Sequence, residues 1–241
     1  MQWQSSVPLL TVIVATVAAH VASAMYCRRR RTIRVHRLRN RYVAVRHGQS
    51  RANVLGIVNS RPGDPEDALT DLGREQVSRT ADRLDRHTLP ASTRILIRHS
   101  PLKRAAETAA IIAQRLRIRP DVIASDDGLI ERDFGDGEGA PCQTVYETVW
   151  ERDRRNCSGD EHRGGGGVES TGSVLVRTIR FIRAMEEEHA RSTIIIVSHG
   201  DTLNILATAF AGVDPSRHRD GPCLATAEAI VLNDVTSDQY N

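Results

Sequence analysis

Tyr42-Val43-Ala44-Val45-Arg46-His47-Gly48 and Ile194-Ile195-Ile196-Val197-Ser198-His199-Gly200-Asp201 share one design: an apolar run that ends in a histidine followed by a glycine. Runs of this length and composition suit strands buried on both faces of a parallel sheet. In an open α/β sheet, ligands bind at the carboxyl ends of such strands. The sequence therefore brings two histidines, with Arg46 beside the first, to one rim.

The rest of the chain alternates between the same two kinds of element. Strands are expected at 42–46, 94–98, 122–125, 193–198 and 229–233, with helices over 71–87, 101–116, 143–154, 170–189 and 202–211. Thr70 is placed to cap the first helix, with Asp71 in its opening turn favoured by the helix dipole. Ser100 is expected to cap the second, with Pro101 at its first position. Alternation of this kind predicts a three-layer α/β/α sandwich with a mostly parallel central sheet. Two connections, 56–68 and 156–167, are long, polar and rich in Gly, Pro and Asp, as functional or mobile loops are. The glycine run 164–167 follows no strand and precedes no Gly-Lys-Ser, so it reads as a hinge and not as a phosphate cradle.

Four blocks of this chain resemble the histidine phosphatase superfamily, also called the phosphoglycerate mutase-like family. They are Arg46-His47-Gly48-Gln49-Ser50 with Asn53; Ser100-Pro101-Leu102-Lys103-Arg104-Ala105 with Glu107-Thr108-Ala109; Leu129 to Gly139; and Ser198-His199-Gly200-Asp201. The resemblance spans about 42–233 and implies a phosphoglycerate mutase-like fold. It also implies a phosphomonoesterase that works through a phosphohistidine and needs no metal or other cofactor.

The chemistry of the residues agrees with that implication. A neutral imidazole at His47 can attack phosphorus. Arg46 and Arg104 offer planar, bidentate donors to the phosphate oxygens, and Arg104 sits near a helix N-terminus. One arginine among 32 carries little weight, and only its block singles out Arg104. His199 is expected to be cationic and to donate to an oxygen that gains charge in the transition state, with the Gly200 N–H as a further donor. Gly48 is expected to let the backbone approach the phosphate. The resemblance gives the general acid/base role to Glu131; Glu138 is the second acid and reads better as a structural partner. Asn53 resembles a substrate-contacting asparagine, with a local turn role as the alternative. His99 stands where many relatives carry a small hydroxyl residue, and it could face the phosphate or the leaving group.

The expected substrate is a small phosphorylated molecule or a phosphoprotein. A phosphoglycerate mutase is the first alternative, but such relatives carry a longer insertion between the acid and the second histidine. Here 67 residues separate Glu131 from His199. A catalytically silent, membrane-tethered binding module is the second, although Arg46, His47, Arg104, Glu131 and His199 are all retained.

Ahead of the first strand the composition changes. Residues 1–27 contain no Asp, Glu, Lys or Arg, and 28–41 hold eight arginines and no acid. Without those eight, 25 basic residues face 30 acidic ones, a balance of −5. The basic character belongs to the tail, so no nucleic-acid partner is expected. Val7 to Ala24 is uncharged and just long enough to span a bilayer as a helix. The sequence therefore predicts an N-terminal membrane anchor (1–27), a basic juxtamembrane segment (28–41) and a catalytic domain (42–241) on the cytosolic side. A cleaved signal or another targeting segment is the alternative. The four cysteines form no CxxC pair and no cluster at metal spacing.

Overall fold

The computed structural model of the chain describes residues 33, 35–64, 67–87, 89, 94–155 and 165–240. The compact unit runs from Ile33 to Asn241. Its strands are β1 (Arg41–Arg46), β2 (Arg94–His99), β3 (Ile123–Ser125), β4 (Ser192–Ser198) and β5 (Ala229–Val231). Its helices are α1 (Arg51–Leu55), α2 (Asp71–His87), α3 (Lys103–Arg115), α4 (Cys142–Arg155), α5 (Thr171–Glu188) and α6 (Gly200–Ala211).

The sheet order is β3-β2-β4-β1-β5, parallel except for β5. Strands β1 and β4 pair in parallel from Arg41 opposite Thr193 to Arg46 opposite Ser198. Alternation along each strand sends side chains to two cores. Val43, Val45, Ile97, Ile195 and Val197 pack with Val77, Ala81, Ala105 and Ile112 of α2 and α3. Tyr42, Ala44, Leu96, Ile194 and Ile196 pack with Val174, Ile182, Leu203 and Leu206 of α5 and α6. Both faces are covered, which is why β1 and β4 read as unbroken apolar runs. The fold is the expected three-layer α/β sandwich.

The chain leaves β1 toward β2 across one face and leaves β4 toward β5 across the other. The carboxyl ends of β1 and β4 thus flank a topological switch point, the crevice where open α/β sheets bind ligands. A third, smaller cluster of Val58, Phe134, Val149 and Val168 ties α4 and its flanking loops together at the rim.

Several local expectations change. Thr70 does cap α2, accepting the Gly73 N–H at 3.0 Å. Ser100 does not cap α3; that helix begins at Lys103 after Leu102, and its first N–H is taken by the Asp67 carboxylate from another loop. Glycines 166 and 167 adopt positive φ angles of 70° and 72°, and the turn packs on Gly135, where a Cβ would lie 1.9 Å from the Gly166 carbonyl oxygen. The described part of the glycine run is therefore a packed turn and not an open hinge. The compact unit also begins ahead of β1: Ile33 is buried in the core, and its N–H donates to the Ala209 carbonyl at 3.2 Å.

The expected membrane localisation is corrected. Among the described residues no helix is long and apolar enough to cross a membrane. The segment on which that expectation rested, residues 7–24, lies outside the described residues.

Gly48 has a different purpose from the one expected. It lies against α2, where a Cβ on Gly48 would meet the Gly73 carbonyl oxygen at 2.5 Å, and one on Gly73 would meet the Gln49 carbonyl oxygen at 2.1 Å. An alanine within a helix usually stabilises it over glycine by about 1 kcal/mol. Gly73→Ala should instead lower stability by about 1–3 kcal/mol through overpacking, read as a lower urea midpoint at an unchanged m-value.

Candidate active site

His47 follows β1, and its N–H extends the ladder to the Ser198 carbonyl at 3.0 Å. His199 follows β4, and the two imidazole centroids are 5.1 Å apart. His47 Nδ1 lies 2.7 Å from the Gly48 carbonyl oxygen. A carbonyl only accepts, so Nδ1 carries the proton and Nε2 keeps its lone pair. That lone pair receives the Arg104 Nε–H at 3.0 Å. Burial first, then the guanidinium groups of Arg104 and Arg46, holds the His47 pKa well below the ordinary imidazole value. The ring is a neutral base with its reactive nitrogen directed at a cation.

Arg104 is almost fully buried on the first turn of α3. Its Nη1 pairs with Asp67, its Nη2 donates to the Asn59 carbonyl at 2.8 Å, and Nη1 also approaches Asn59 Oδ1 at 3.4 Å. Burial raises the Asp67 carboxyl above its usual range, while Arg104 and the Lys103 N–H pull it back. Arg46 donates from Nη1 to the Leu224 carbonyl at 2.8 Å. Its guanidinium lies over Gly200, where a Cβ would stand 3.4 Å from Cζ.

Three buried nitrogens of this group have no hydrogen-bond partner: Arg46 Nε, Asn59 Nδ2 and His199 Nδ1. Buried polar groups are rarely left so. Two of them are obligatory donors, and their residues adjoin one another through Gly200, Arg104 and the paired imidazoles. An oxyanion is the ligand that such an arrangement fits.

Burial first, then Arg104, His47, Arg46 and Arg177, lowers the His199 pKa well below its ordinary value. Burial and the clustered positive charge thus favour a neutral ring, against the cationic His199 expected from the sequence. Glu131 behaves oppositely, its carboxyl raised by burial and then by the charge of Asp201. Glu131 Oε1 accepts from Arg132 N at 2.9 Å, Thr202 N at 3.2 Å and Thr202 Oγ1 at 3.1 Å. Among the described residues no hydrogen bond engages its other oxygen.

Behind Glu131 lies a buried charge network. Arg132 donates two parallel hydrogen bonds to Asp153 (2.6 and 2.8 Å) and reaches Asp201 at 3.2 Å. The Trp150 indole donates to both Asp201 oxygens at 3.1 and 3.0 Å. Burial alone would raise Asp201, but His218, Arg132 and Trp150 hold it well below the usual carboxylate range.

The remaining candidates have hydrogen-bond partners of their own. Asn53 belongs to a reciprocal cap with Ser50: its Oδ1 accepts the Ser50 N–H at 3.0 Å, and its backbone N–H donates to Ser50 Oγ at 3.3 Å. Glu138 accepts from Ser60 N at 2.7 Å and Ser60 Oγ at 2.6 Å, so it fastens the 56–64 loop as a structural partner. His99 donates from Nδ1 to the Ser100 carbonyl at 2.8 Å and is partly buried.

Asp67, Asn59, Ser100 and Thr202 were not singled out from the sequence as site residues. Asp67 stands 37 positions from Arg104 in a polar loop, and no spacing rule connects them. The same holds for Tyr146 and Trp150 of α4, whose rings stack 4.9 Å apart beside Phe134, close to Glu131 in sequence.

The family model for the histidine phosphatase superfamily (branch 1) matches residues 42–238. Phosphoglycerate mutase-like protein 4 of Arabidopsis thaliana is 31% identical over 167 residues, covering 68% of each chain. The metal-independent phosphoserine phosphatase of the same plant is 30% identical over 166 residues, 68% of this chain and 66% of the plant protein. For other curated relatives the match spans half of their length. Among solved structures, a mycobacterial glucosyl-3-phosphoglycerate phosphatase superposes with a TM-score of 0.61 at 25% identity, covering 78% of this chain and 90% of that one.

Removing one partner of a buried ion pair leaves an uncompensated charge, at a cost of about 3–5 kcal/mol. Asp67→Ala should destabilise the unliganded protein by about that amount. Inorganic phosphate should then raise the Tm of the variant more than that of the wild type, because it supplies the missing negative charge; scanning fluorimetry with and without phosphate measures both.

Proposed function

The chain belongs to the histidine phosphatase superfamily, branch 1, and is a phosphohydrolase; on that premise we propose that His47 accepts the phosphoryl group from a small phosphomonoester. The observation that carries this reading is the tautomer of His47, with Nδ1–H held by Gly48 and the Nε2 lone pair facing Arg104. The compact unit Ile33–Asn241 is assigned as the catalytic domain.

In the first step the substrate phosphate takes the N–H groups of Arg104 and Arg46, which frees His47 Nε2 to attack phosphorus. The N–P bond forms as the ester P–O bond breaks, and the leaving alkoxide takes the proton of Glu131. In the second step Glu131 removes a proton from water, whose oxygen attacks phosphorus and releases His47 and inorganic phosphate. One carboxyl serves both steps because burial and Asp201 raise its pKa. His199 and the Gly200 N–H stabilise the equatorial oxygens. Neither step routes through a metal. The plant phosphoserine phosphatase and the mycobacterial glucosyl-3-phosphoglycerate phosphatase favour small phosphorylated metabolites as substrates over mutase-type transfer between phosphoglycerates.

Rapid quench with a 32P-labelled substrate should trap an acid-labile, base-stable phosphoenzyme that His47→Ala abolishes; a phosphoenzyme that persists in this variant places the acceptor elsewhere. Activity should survive excess chelator, and loss restored by a divalent ion would overturn the mechanism.

The pH dependence follows from the two shifts. The raised Glu131 pKa means the acid is present at low pH and is lost as pH rises through that value. His47, with its lowered pKa, stays unprotonated well into the acid range. For alkyl phosphates kcat/KM should therefore fall on the alkaline side. Glu131→Gln should remove that limb and cost about 100–10,000-fold in kcat/KM on alkyl phosphates, but much less in kcat/KM on aryl phosphates, whose leaving groups need no proton; kcat should fall on both, because the water step is shared.

A further inference from the structure

Ser100 lies fully buried between β2 and α3, and two contacts engage its hydroxyl. Oγ accepts the Leu102 N–H at 3.3 Å and lies 2.7 Å from His199 Nε2. The hydroxyl has one proton, and among the described residues His199 Nε2 is the only group within reach to accept it. If Nε2 carried the imidazole proton instead, Oγ would accept from both neighbours and its own O–H would be buried without an acceptor. That arrangement costs about 1–3 kcal/mol.

We propose that Ser100 is a positioning residue that fixes His199 in the Nδ1–H tautomer and so turns a neutral imidazole into a ready-made donor for the phosphoryl oxygen. The Ser100 O–H donates to Nε2, which places the ring proton on Nδ1. Nδ1 is the His199 nitrogen that is buried without a partner, in a ring 5.1 Å from that of the proposed phosphoryl acceptor. The opposite tautomer would turn a lone pair toward the phosphate and repel it. His199 therefore needs no positive charge to act, in keeping with a site where burial and neighbouring guanidinium groups disfavour an imidazolium. Backbone geometry holds the contact in place: the Ser100 N–H is fixed at 2.9 Å to the carbonyl of Val197, two residues before His199 on the strand that His199 follows.

The catalytic consequence rests on the proposed function; the tautomer itself does not, and the two are separable by experiment. Long-range 15N–1H correlation spectra of the full chain, labelled at histidine, read the tautomer directly. The His199 signal is identified by its loss in His199→Asn. The expected pattern places the proton on Nδ1, and saturating inorganic phosphate should move that proton downfield. A wild-type spectrum with the proton on Nε2, or an Nδ1 proton indifferent to phosphate, overturns the inference whether or not Ser100→Ala folds. Ser100→Ala should lose the Nδ1–H preference and reduce kcat by about 100-fold, the loss of one aligned donor, with a much smaller change in KM. Unchanged kcat in a folded Ser100→Ala protein also overturns it. Should the chain hydrolyse no phosphomonoester, the proposed function fails while the spectrum still decides the tautomer.

Discussion

Parallel pairing of β1 with β4, Arg46 opposite Ser198, is the constraint on which the rest of the molecule depends. The pairing places the two residues that follow, His47 and His199, side by side. The two strands feed helices on opposite faces, so no crossover covers their carboxyl ends and a crevice remains. The helices that close the sheet are themselves drawn into the site. Arg104 and Gly200 sit in the first turns of α3 and α6, where backbone N–H groups also point outward.

The centre is held in a condition that only an anion relieves. Arg46, Arg104 and two imidazoles crowd together with one close carboxylate, Asp67, on the arginine side. Low dielectric magnifies that imbalance and keeps both imidazoles neutral. Neutrality is what each ring needs for the work proposed for it: a lone pair at His47 and a donor at His199. Opposite charges were sorted in space, with the acids Asp201 and Asp153 gathered behind Glu131 and neutralised by Arg132. Asp201 still raises Glu131 from there, so the network sets the acid without touching the substrate.

One hydrogen bond to each ring accounts for the two tautomers, that of His199 as proposed. A carbonyl defines His47 and a hydroxyl anchored on a strand end defines His199. The first is set from within the His47 motif, by the next residue, whereas the second depends on a residue 99 positions away in the chain. The short contact of Gly48 with Gly73 belongs to the same economy, since α2 must lie close to the first loop for that loop to keep its shape.

The layered fold and its strands were legible in the sequence, as were the candidates Arg46, His47, Arg104 and His199 that the fold brings together and Glu131, the proposed acid. Periodicity of two along a strand buried on both faces leaves an unbroken apolar run, and the motifs mark where such runs end. The phosphatase chemistry follows from the same blocks. The sequence did not reveal Asp67, Asn59, Ser100 or the Tyr146–Trp150 pair, because each meets the site through a contact made across loops of arbitrary length. It also misled on Ser100, whose local pattern suits a helix cap while its hydroxyl is given to His199 across the sheet. The charge of His199 was likewise a tertiary matter. A side chain's chemical type is written in the chain, but its proton is placed by burial and by neighbours that only the folded structure assembles.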